Sequence, residues 1–147
     1  MTINIKQPET PKDFAQYYDL RWRVLRAPWQ QPVGSEKDSL EDSCYHILAC
    51  NTANTVIGVG RLQFNSASEA QIRYMAVDPA HHRNGVGRML VAALEKIALE
   101  NTRRHIILDA REPAVGFYEK LGYAVTEKTY LLFDSIQHFR MQKMLGL

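Results

Sequence analysis

The sequence is poor in cysteine and in long apolar runs. Of its 147 residues only Cys44 and Cys50 are cysteines. Their spacing fits no metal site, so we interpret them as reduced core thiols rather than as a disulfide. No apolar run is long enough to span a membrane, and the first residues lack the apolar stretch of a signal peptide. We therefore expect a cytoplasmic protein that does not bind a membrane.

The sequence also lacks a large excess of charge of either sign. Its 18 basic and 16 acidic residues give a formal net charge of +2, and no basic block suggests a nucleic-acid partner. The composition and length predict one domain over residues 1–147, with a core that needs no disulfide or metal. Four histidines lie at no metal-ligand spacing from a carboxylate or cysteine, so we expect no catalytic metal: His46, His81, His82 and His105.

The first half of the chain predicts a strand, a helix and a three-stranded meander. Ile3 and Ile5 alternate with polar residues, as in a short strand. Thr10 is a typical helix cap, with Pro11 at the first helical position and Asp13 close to a capping box. A loop with two prolines and a glycine covers residues 26–34, and residues 35–38 are expected to cap a short helix. Three apolar strands follow, at residues 45–50, 55–64 and 69–77. Their short links favour antiparallel pairing.

The second half predicts a strand–helix–strand unit followed by a helix and two strands. The apolar helix after Gly87 ends near residues 101–104, and residues 105–109 form a buried strand parallel to the one before the helix, since such crossovers are right-handed. Pro113 begins another helix and Gly122 ends it. Residues 123–126 and 139–145 are candidate strands, and residues 129–137 between them have no assignment. The fold class is therefore mixed α/β, an antiparallel meander followed by a βαβ unit.

The stretch Met75–Arg88 is the most informative part of the sequence. A strand ends at Val77 and a loop with two glycines, Gly85 and Gly87, leads straight into a helix. This order leaves unpaired N–H groups at a helix N-terminus, where the helix dipole also attracts anions. Two basic side chains, Arg83 and Arg88, can add charge-assisted hydrogen bonds to an anion. The loop therefore predicts a pyrophosphate site.

The run from Tyr74 to Leu90, followed by Ala114 to Tyr123, resembles the GNAT superfamily of acyl-coenzyme A N-acyltransferases. Two further stretches, residues 41–46 and 137–143, resemble its ElaA-like branch. His82 occupies the first position of the loop motif, where the family has Arg or Gln. Arg111 stands where many members have Asn, and whether it faces the cofactor is open.

The resemblance implies one N-acetyltransferase domain, with a central strand that splays from its neighbour. It also implies acetyl-coenzyme A as cosubstrate. Backbone groups at the end of the central strand would pair with the pantetheine arm as an added strand does, and the loop would hold the pyrophosphate. The implied cofactor-binding residues are Met75, Ala76, Val77, Arg83, Asn84, Gly85, Val86, Gly87 and Arg88.

The same resemblance implies direct attack of an amine on the thioester in a ternary complex. Tyr118 matches the family's usual acid for the departing thiolate, although it is also compatible with a packed core aromatic. Backbone N–H groups from Met75 to Val77 are candidates for the oxyanion site. Glu69 and His138 are candidate general bases, and a water chain would need neither.

The acceptor is expected to be a primary amine of a small molecule or a peptide. Candidates for its pocket are Trp22, Trp29, Arg73 and Tyr74, each equally compatible with core or surface, and Arg21 either packs in the first helix or reaches a ligand. A catalytically silent acyl-coenzyme A-binding module is the alternative function. An edge strand near the C-terminus would allow a homodimer.

Overall fold

A mixed sheet forms the centre of the protein in a computed structural model that describes residues 2–146. Within those residues the sheet has seven strands in the order β1-β2-β3-β4-β5-β7-β6. All neighbours are antiparallel except β4 and β5, which are parallel as predicted. The strands are β1 (Asn4–Lys6), β2 (Tyr45–Cys50), β3 (Val56–Phe64), β4 (Glu69–Val77), β5 (His105–Arg111), β6 (Ala124–Leu132) and β7 (Ile136–Met144).

Helices cover both faces of this sheet: α1 (Pro11–Leu25), α2 (Val86–Glu100) and α3 (Val115–Lys120). The predicted start of α1 is confirmed, because Thr10 accepts from the Asp13 N–H at 3.0 Å and the Asp13 carboxylate accepts from the Thr10 N–H. Alternate residues of a strand face opposite sides, so Leu48 packs under α1 while Ile47 packs under α2. The result is a three-layer α/β fold with a core on each face of the sheet.

Strands β4 and β5 stay together for only part of their length. Glu69–Ile72 pairs with His105–Leu108, and the pairing then stops. Nearby, the register between β3 and β4 shifts after Val59, and Tyr74 has a φ of 53°. Positive φ costs energy in a bulky residue, and a local bulge of this kind bends its strand. The C-terminal half of β4 therefore diverges from β5 and leaves a V-shaped gap.

The C-terminal hairpin differs from the sequence prediction. Both strands are longer than the predicted 123–126 and 139–145, and they meet at a tight turn with φ of 52° at Phe133 and 55° at Asp134. Such turns usually carry Asn or Gly, so the Phe-Asp pair gave no signal. Strand β7 lies between β5 and β6. This inserts His138 beside the end of β5.

The long loop between α1 and β2 is fixed by buried ion pairs. The short helix predicted after residues 35–38 is a single 3₁₀ turn, Glu41–Ser43, and no side chain caps it. Arg21 and Arg61 are 0% exposed. Glu41 accepts from Arg21 at 2.9 Å and from Arg61 at 2.7 Å, and Asp38 accepts from Arg61 at 2.7 and 3.0 Å. Arg21 is thus a buried structural cation rather than a solvated one.

Candidate functional site

The gap between β4 and β5 exposes backbone hydrogen-bonding groups. The Asp78 N–H donates to the Ile57 carbonyl at 2.9 Å, toward β3. Because successive residues of a strand direct their backbone groups to opposite edges, those of Val77 and Met75 point into the gap instead. His82 folds back from the loop, and its Nε2–H donates to the Val77 carbonyl at 3.0 Å. The structure thus places the imidazole of His82 on the strand end.

The N-terminus of α2 is open to an anion. Gly85, with a φ of 77°, is in the left-handed region and caps the helix without a side-chain hydrogen bond. The first intrahelical bond runs from the Met89 N–H to the Gly85 carbonyl. The N–H groups of α2 that precede Met89 therefore have no acceptor within the helix, as at the start of any α-helix. A Cβ on Gly87 would lie 3.0 Å from the Phe117 ring, which explains glycine there by packing against α3.

Exposed basic side chains flank this helix start. Arg83 and Arg88 are exposed and form no ion pair or hydrogen bond within residues 2–146. The Asn84 N–H donates to the His81 carbonyl at 3.2 Å and shapes the loop. Free N–H donors, a helix dipole and two exposed cations suit a pyrophosphate. The residues present therefore fit the phosphate end of coenzyme A.

A cavity of about 130 Å³ lies at the other end of the gap. It is bounded by α1, the diverging part of β4, the end of β5, α3 and the C-terminal hairpin. Its lining combines an apolar floor with four groups of chemical interest: Tyr118, His138, Arg26 and Arg111. A typical drug-sized ligand needs roughly 300 Å³ or more. This cavity therefore suits a small reacting group.

Tyr118, the candidate acid, lies at the cavity and is 7% exposed. Its ring contacts Phe117 and Tyr123 edge-on at 4.9 and 5.8 Å between centroids. Within the described chain its hydroxyl has no hydrogen-bond partner, unlike that of a purely structural buried tyrosine. Burial raises the pKa of the phenol above its usual range. At pH 7 the hydroxyl is therefore protonated and able to donate a hydrogen bond.

His138 also lines the cavity, and Glu69 does not. The His138 Nδ1–H donates to the Ile136 carbonyl at 3.0 Å, which leaves Nε2 as an acceptor. Burial, helped by the charge of Arg111, lowers the pKa of His138 although the bond to Ile136 opposes it. The ring is thus neutral at pH 7. Glu69 sits at the far end of β4 and pairs with His105 at 3.4 Å, so the structure does not bring it to the cavity.

Sequence reasoning assigned neither of the two cavity arginines to an acceptor pocket. Arg26 was read only as part of a loop. Arg111 turns toward the end of α1, where its Nη2–H donates to the Leu25 carbonyl at 3.2 Å and its guanidinium lies 4.7 Å from the Trp29 ring. Arg111 was noted only as a departure from the family motif. No local pattern links it to Arg26, which lies 85 residues earlier in the chain.

Of the four residues predicted to line the acceptor pocket, two line the cavity and two lie outside its lining. Tyr74 and Arg73 line the cavity. Trp29 packs against the guanidinium group of Arg111. Trp22 donates from its indole N–H to the Gln31 carbonyl at 3.0 Å and helps to fix the loop.

Among residues 2–146, no three His, Cys, Asp or Glu side chains are grouped so that they could hold a metal ion. No helix in that part of the chain has the length and apolar character needed to cross a membrane.

Comparison with known proteins places this geometry in a family. The model of the acetyltransferase (GNAT) family matches residues 14–123. The Bacillus subtilis (strain 168) protein YyaT is 31% identical over 146 residues, covering 96% of this chain and 95% of YyaT.

Two solved structures share the fold. An aminoglycoside 6′-N-acetyltransferase in complex with coenzyme A has a TM-score of 0.79 at 18% identity, covering 100% of this chain and 98% of that one. Escherichia coli ElaA has a TM-score of 0.79 at 18% identity, covering 97% and 99%. The likeness to ElaA is one of fold, so the ElaA-like branch stays a prediction. The family match, in contrast, covers most of the chain, and the protein belongs to the GNAT family of acetyltransferases.

Proposed function

We propose that the protein transfers the acetyl group of acetyl-coenzyme A to a primary amine. The observation that carries the proposal is the gap between β4 and β5. It joins the open N-terminus of α2 to the cavity that holds Tyr118 and His138. One elongated ligand lying in this gap would place its phosphates on the helix and its reactive end in the cavity.

Binding in this proposal uses the backbone more than side chains. Residues Met75 to Val77 would pair with the amide groups of the pantetheine arm, as an added β-strand pairs with a sheet edge. The N–H groups of Val86 to Arg88, with the Arg83 and Arg88 side chains, would hold the pyrophosphate. Because the Val77 carbonyl already accepts from His82, cofactor binding would displace the imidazole or share that oxygen with it.

Two side chains in the cavity would handle the protons. Acetyl-coenzyme A supplies an activated acetyl group, and the acceptor amine must lose a proton as it attacks. His138 is neutral with a free Nε2, so it suits the role of general base. Tyr118 has an unpaired hydroxyl in the same cavity, and it would donate a hydrogen bond to the departing thiolate. The raised pKa of Tyr118 favours this hydrogen bond over full proton transfer.

Thiol release from acetyl-coenzyme A in the presence of a panel of amines tests the proposal. Amine-dependent release is the expected result, and tight coenzyme A binding without turnover on any amine would instead support a silent binding module. Tyr118→Phe should lower turnover about 10-fold, the scale of one lost hydrogen bond in the transition state. Its cofactor affinity should stay close to the wild-type value. Unchanged turnover would remove Tyr118 from the mechanism.

The pH dependence tests His138 separately. A base works in its neutral form, and the pKa of His138 is lowered. We therefore expect kcat/KM, once corrected for the ionisation of the amine substrate, to be flat around pH 7 and to fall only below about pH 6.5, the ordinary histidine value. His138→Gln should lose about 100-fold in turnover, as for other general bases, together with the acid limb. An acid limb that survives in His138→Gln would exclude this residue, and Glu69→Gln is the matched control outside the cavity.

Assembly and location complete the proposal. Strand β6 is one of the two edges of the sheet, and it carries the exposed apolar residues Val125 and Leu131, at 42% and 53% exposure. A homodimer formed along this edge is testable by light scattering on the wild type and on a Leu131→Lys variant. The free thiols of Cys44 and Cys50 agree with a reducing, cytoplasmic location.

A further inference from the structure

Two arginines at the cavity carry charges that no carboxylate neutralises. Arg26 follows α1 and Arg111 ends β5, and both line the cavity. Their guanidinium groups donate to one oxygen, the Leu25 carbonyl, at 3.0 and 3.2 Å. The two cations therefore lie side by side. Neither forms an ion pair anywhere in residues 2–146.

The anions near this pair are bound to other cations. Asp109 is the only carboxylate in the cavity lining of the described chain. Arg140 holds it in a two-pronged contact, at 2.6 and 3.1 Å. The third cavity arginine, Arg73, lies 3.4 Å from Asp38. The net charge that remains in the cavity is positive and is concentrated on Arg26 and Arg111.

The position of the Arg111 charge, partly buried and next to Arg26, is energetically unfavourable unless an anion binds there. Burial, and then the nearby charge of Arg26, lowers the pKa of Arg111 to about 10, so the group remains cationic at pH 7. Trp29 covers one face of the guanidinium. Only Nη2 has a hydrogen-bond partner in the described chain. A second guanidinium and unused N–H donors form a binding geometry that matches a carboxylate or a phosphate.

The pair also has a fixed position relative to the proposed base. Arg111 on β5 is the register partner of His138 on β7. Cross-strand partners project from the same face of a sheet, with Cβ atoms about 5 Å apart. A ligand whose acid group is held by Arg111 would therefore present its remaining atoms beside His138 and Tyr118.

We propose that the acceptor is a small amine that also carries an acid group, and that Arg26 and Arg111 bind this group together. The inference rests on the proposed acetyl transfer and names its substrate class. An amino acid is the plainest example, with a carboxylate a few bonds from the amine. An aminoalkyl phosphate offers the same chemistry with a different acid.

Paired substrates that differ only in the acid group test the inference. We compare L-alanine with L-alaninamide, and O-phosphoethanolamine serves as the phosphate arm. Loss of one partner from a close charge pair typically costs about 30-fold or more in affinity. We therefore expect kcat/KM for the better acid to exceed that for the neutral amide by about 30-fold. Which acid is preferred identifies the source of the oxyanion.

Variants then locate the preference. Arg111→Gln and Arg26→Gln should each lower the acid-to-amide ratio about 10-fold or more, and Arg111→Lys should retain part of it because it keeps the charge. Arg104→Gln is the matched control, since Arg104 is exposed and lies outside the cavity. Melting temperatures of all variants show whether a lost ratio reflects a lost fold.

A binding measurement separates this inference from the proposed activity. Trp29 lies against Arg111, so its fluorescence should change when L-alanine binds, change less with L-alaninamide, and lose the response in Trp29→Phe and Arg111→Gln. If no amine is acetylated but this response is present, acetyl transfer fails and the acid site stands. If neutral amines are acetylated as well as acids, and Arg111→Gln lowers both equally, the acid site is overturned while acetyl transfer stands.

Discussion

Two pairs of arginines contact the loop that follows α1, and they differ in their partners. Arg21 and Arg61 are fully buried and share the carboxylates of Glu41 and Asp38. Arg26 and Arg111 are only partly buried and share a carbonyl oxygen, with no carboxylate in residues 2–146. The first pair fixes the loop to the sheet. The second pair faces the cavity.

The difference indicates how to distinguish a structural charge from a functional one. A buried cation that is paired and hydrogen-bonded holds elements together, and removal of its partner is costly. A cation held beside another cation, with unused donors, gains little stability from its position. Such perturbed groups in a cavity are typical of binding sites. We therefore expect the two pairs to respond to mutation in opposite ways, with stability lost at one and substrate choice lost at the other.

The largest effect is expected from Glu41→Gln. This change leaves Arg21 and Arg61 with one carboxylate fewer, and breaking a buried pair in this way typically costs about 3–5 kcal/mol. The measurement is the free energy of unfolding in urea, with the exposed Glu119→Gln as control. A loss below about 1 kcal/mol would show that the first pair does not hold the loop, and the comparison would fail.

Acid should weaken the first pair before it affects the second. The hydrogen bonds from Arg61 lower the pKa of Asp38 to about 2, despite an opposing effect of burial. A carboxyl whose pKa is lower in the folded state adds stability that is present above its unfolded pKa, near 3.9, and is lost as the pH falls toward 2. Unfolding free energies between pH 5 and pH 2.5 should therefore fall less steeply in Asp38→Asn than in the wild type. Equal slopes would assign the acid sensitivity to other carboxyls.

The smallest effect on stability is expected from Arg111→Gln. The variant loses one hydrogen bond and the contact with Trp29, but it also removes a partly buried charge and its repulsion with Arg26. These contributions oppose each other, so the free energy of unfolding should change by less than about 1 kcal/mol. Urea titration in the same buffer as for Glu41→Gln gives a direct comparison. A loss as large as that of Glu41→Gln would make Arg111 a structural residue.

The elements on the cofactor side of the protein could be predicted from the sequence because they are consecutive in the chain. Strand β4, the loop and α2 follow one another in 32 residues, and each is marked by its own pattern of apolar spacing and glycine. The left-handed conformation of Gly85 and the uncapped helix start agree with that pattern. Both the meander and the parallel β4–β5 pair followed from short links and the helical crossover.

The acceptor side could be predicted only in part, because it is assembled from distant segments. His138 and Tyr118 were candidates from the sequence, whereas the pairing of Arg26 with Arg111 was not. Arg26, Arg111 and His138 come from a loop and from two strands that meet only in the folded sheet. The position of His138 depends on a hairpin whose turn, Phe133-Asp134, has no glycine or asparagine to mark it. The partner of Arg21 lies 20 residues away in an irregular loop. Only the tertiary structure shows which arginines have a carboxylate partner and which do not.

The most direct test of this distinction is a thermal shift with an acetylated product analogue. A ligand that binds only the folded state raises the melting temperature in a concentration-dependent way. N-acetyl-L-alanine should raise the melting temperature of the wild type and should have no effect on Arg111→Gln. N-acetyl-L-alaninamide should have little effect on either protein. Equal shifts by the acid and the amide in the wild type would contradict the assignment of Arg26 and Arg111 to an acid group.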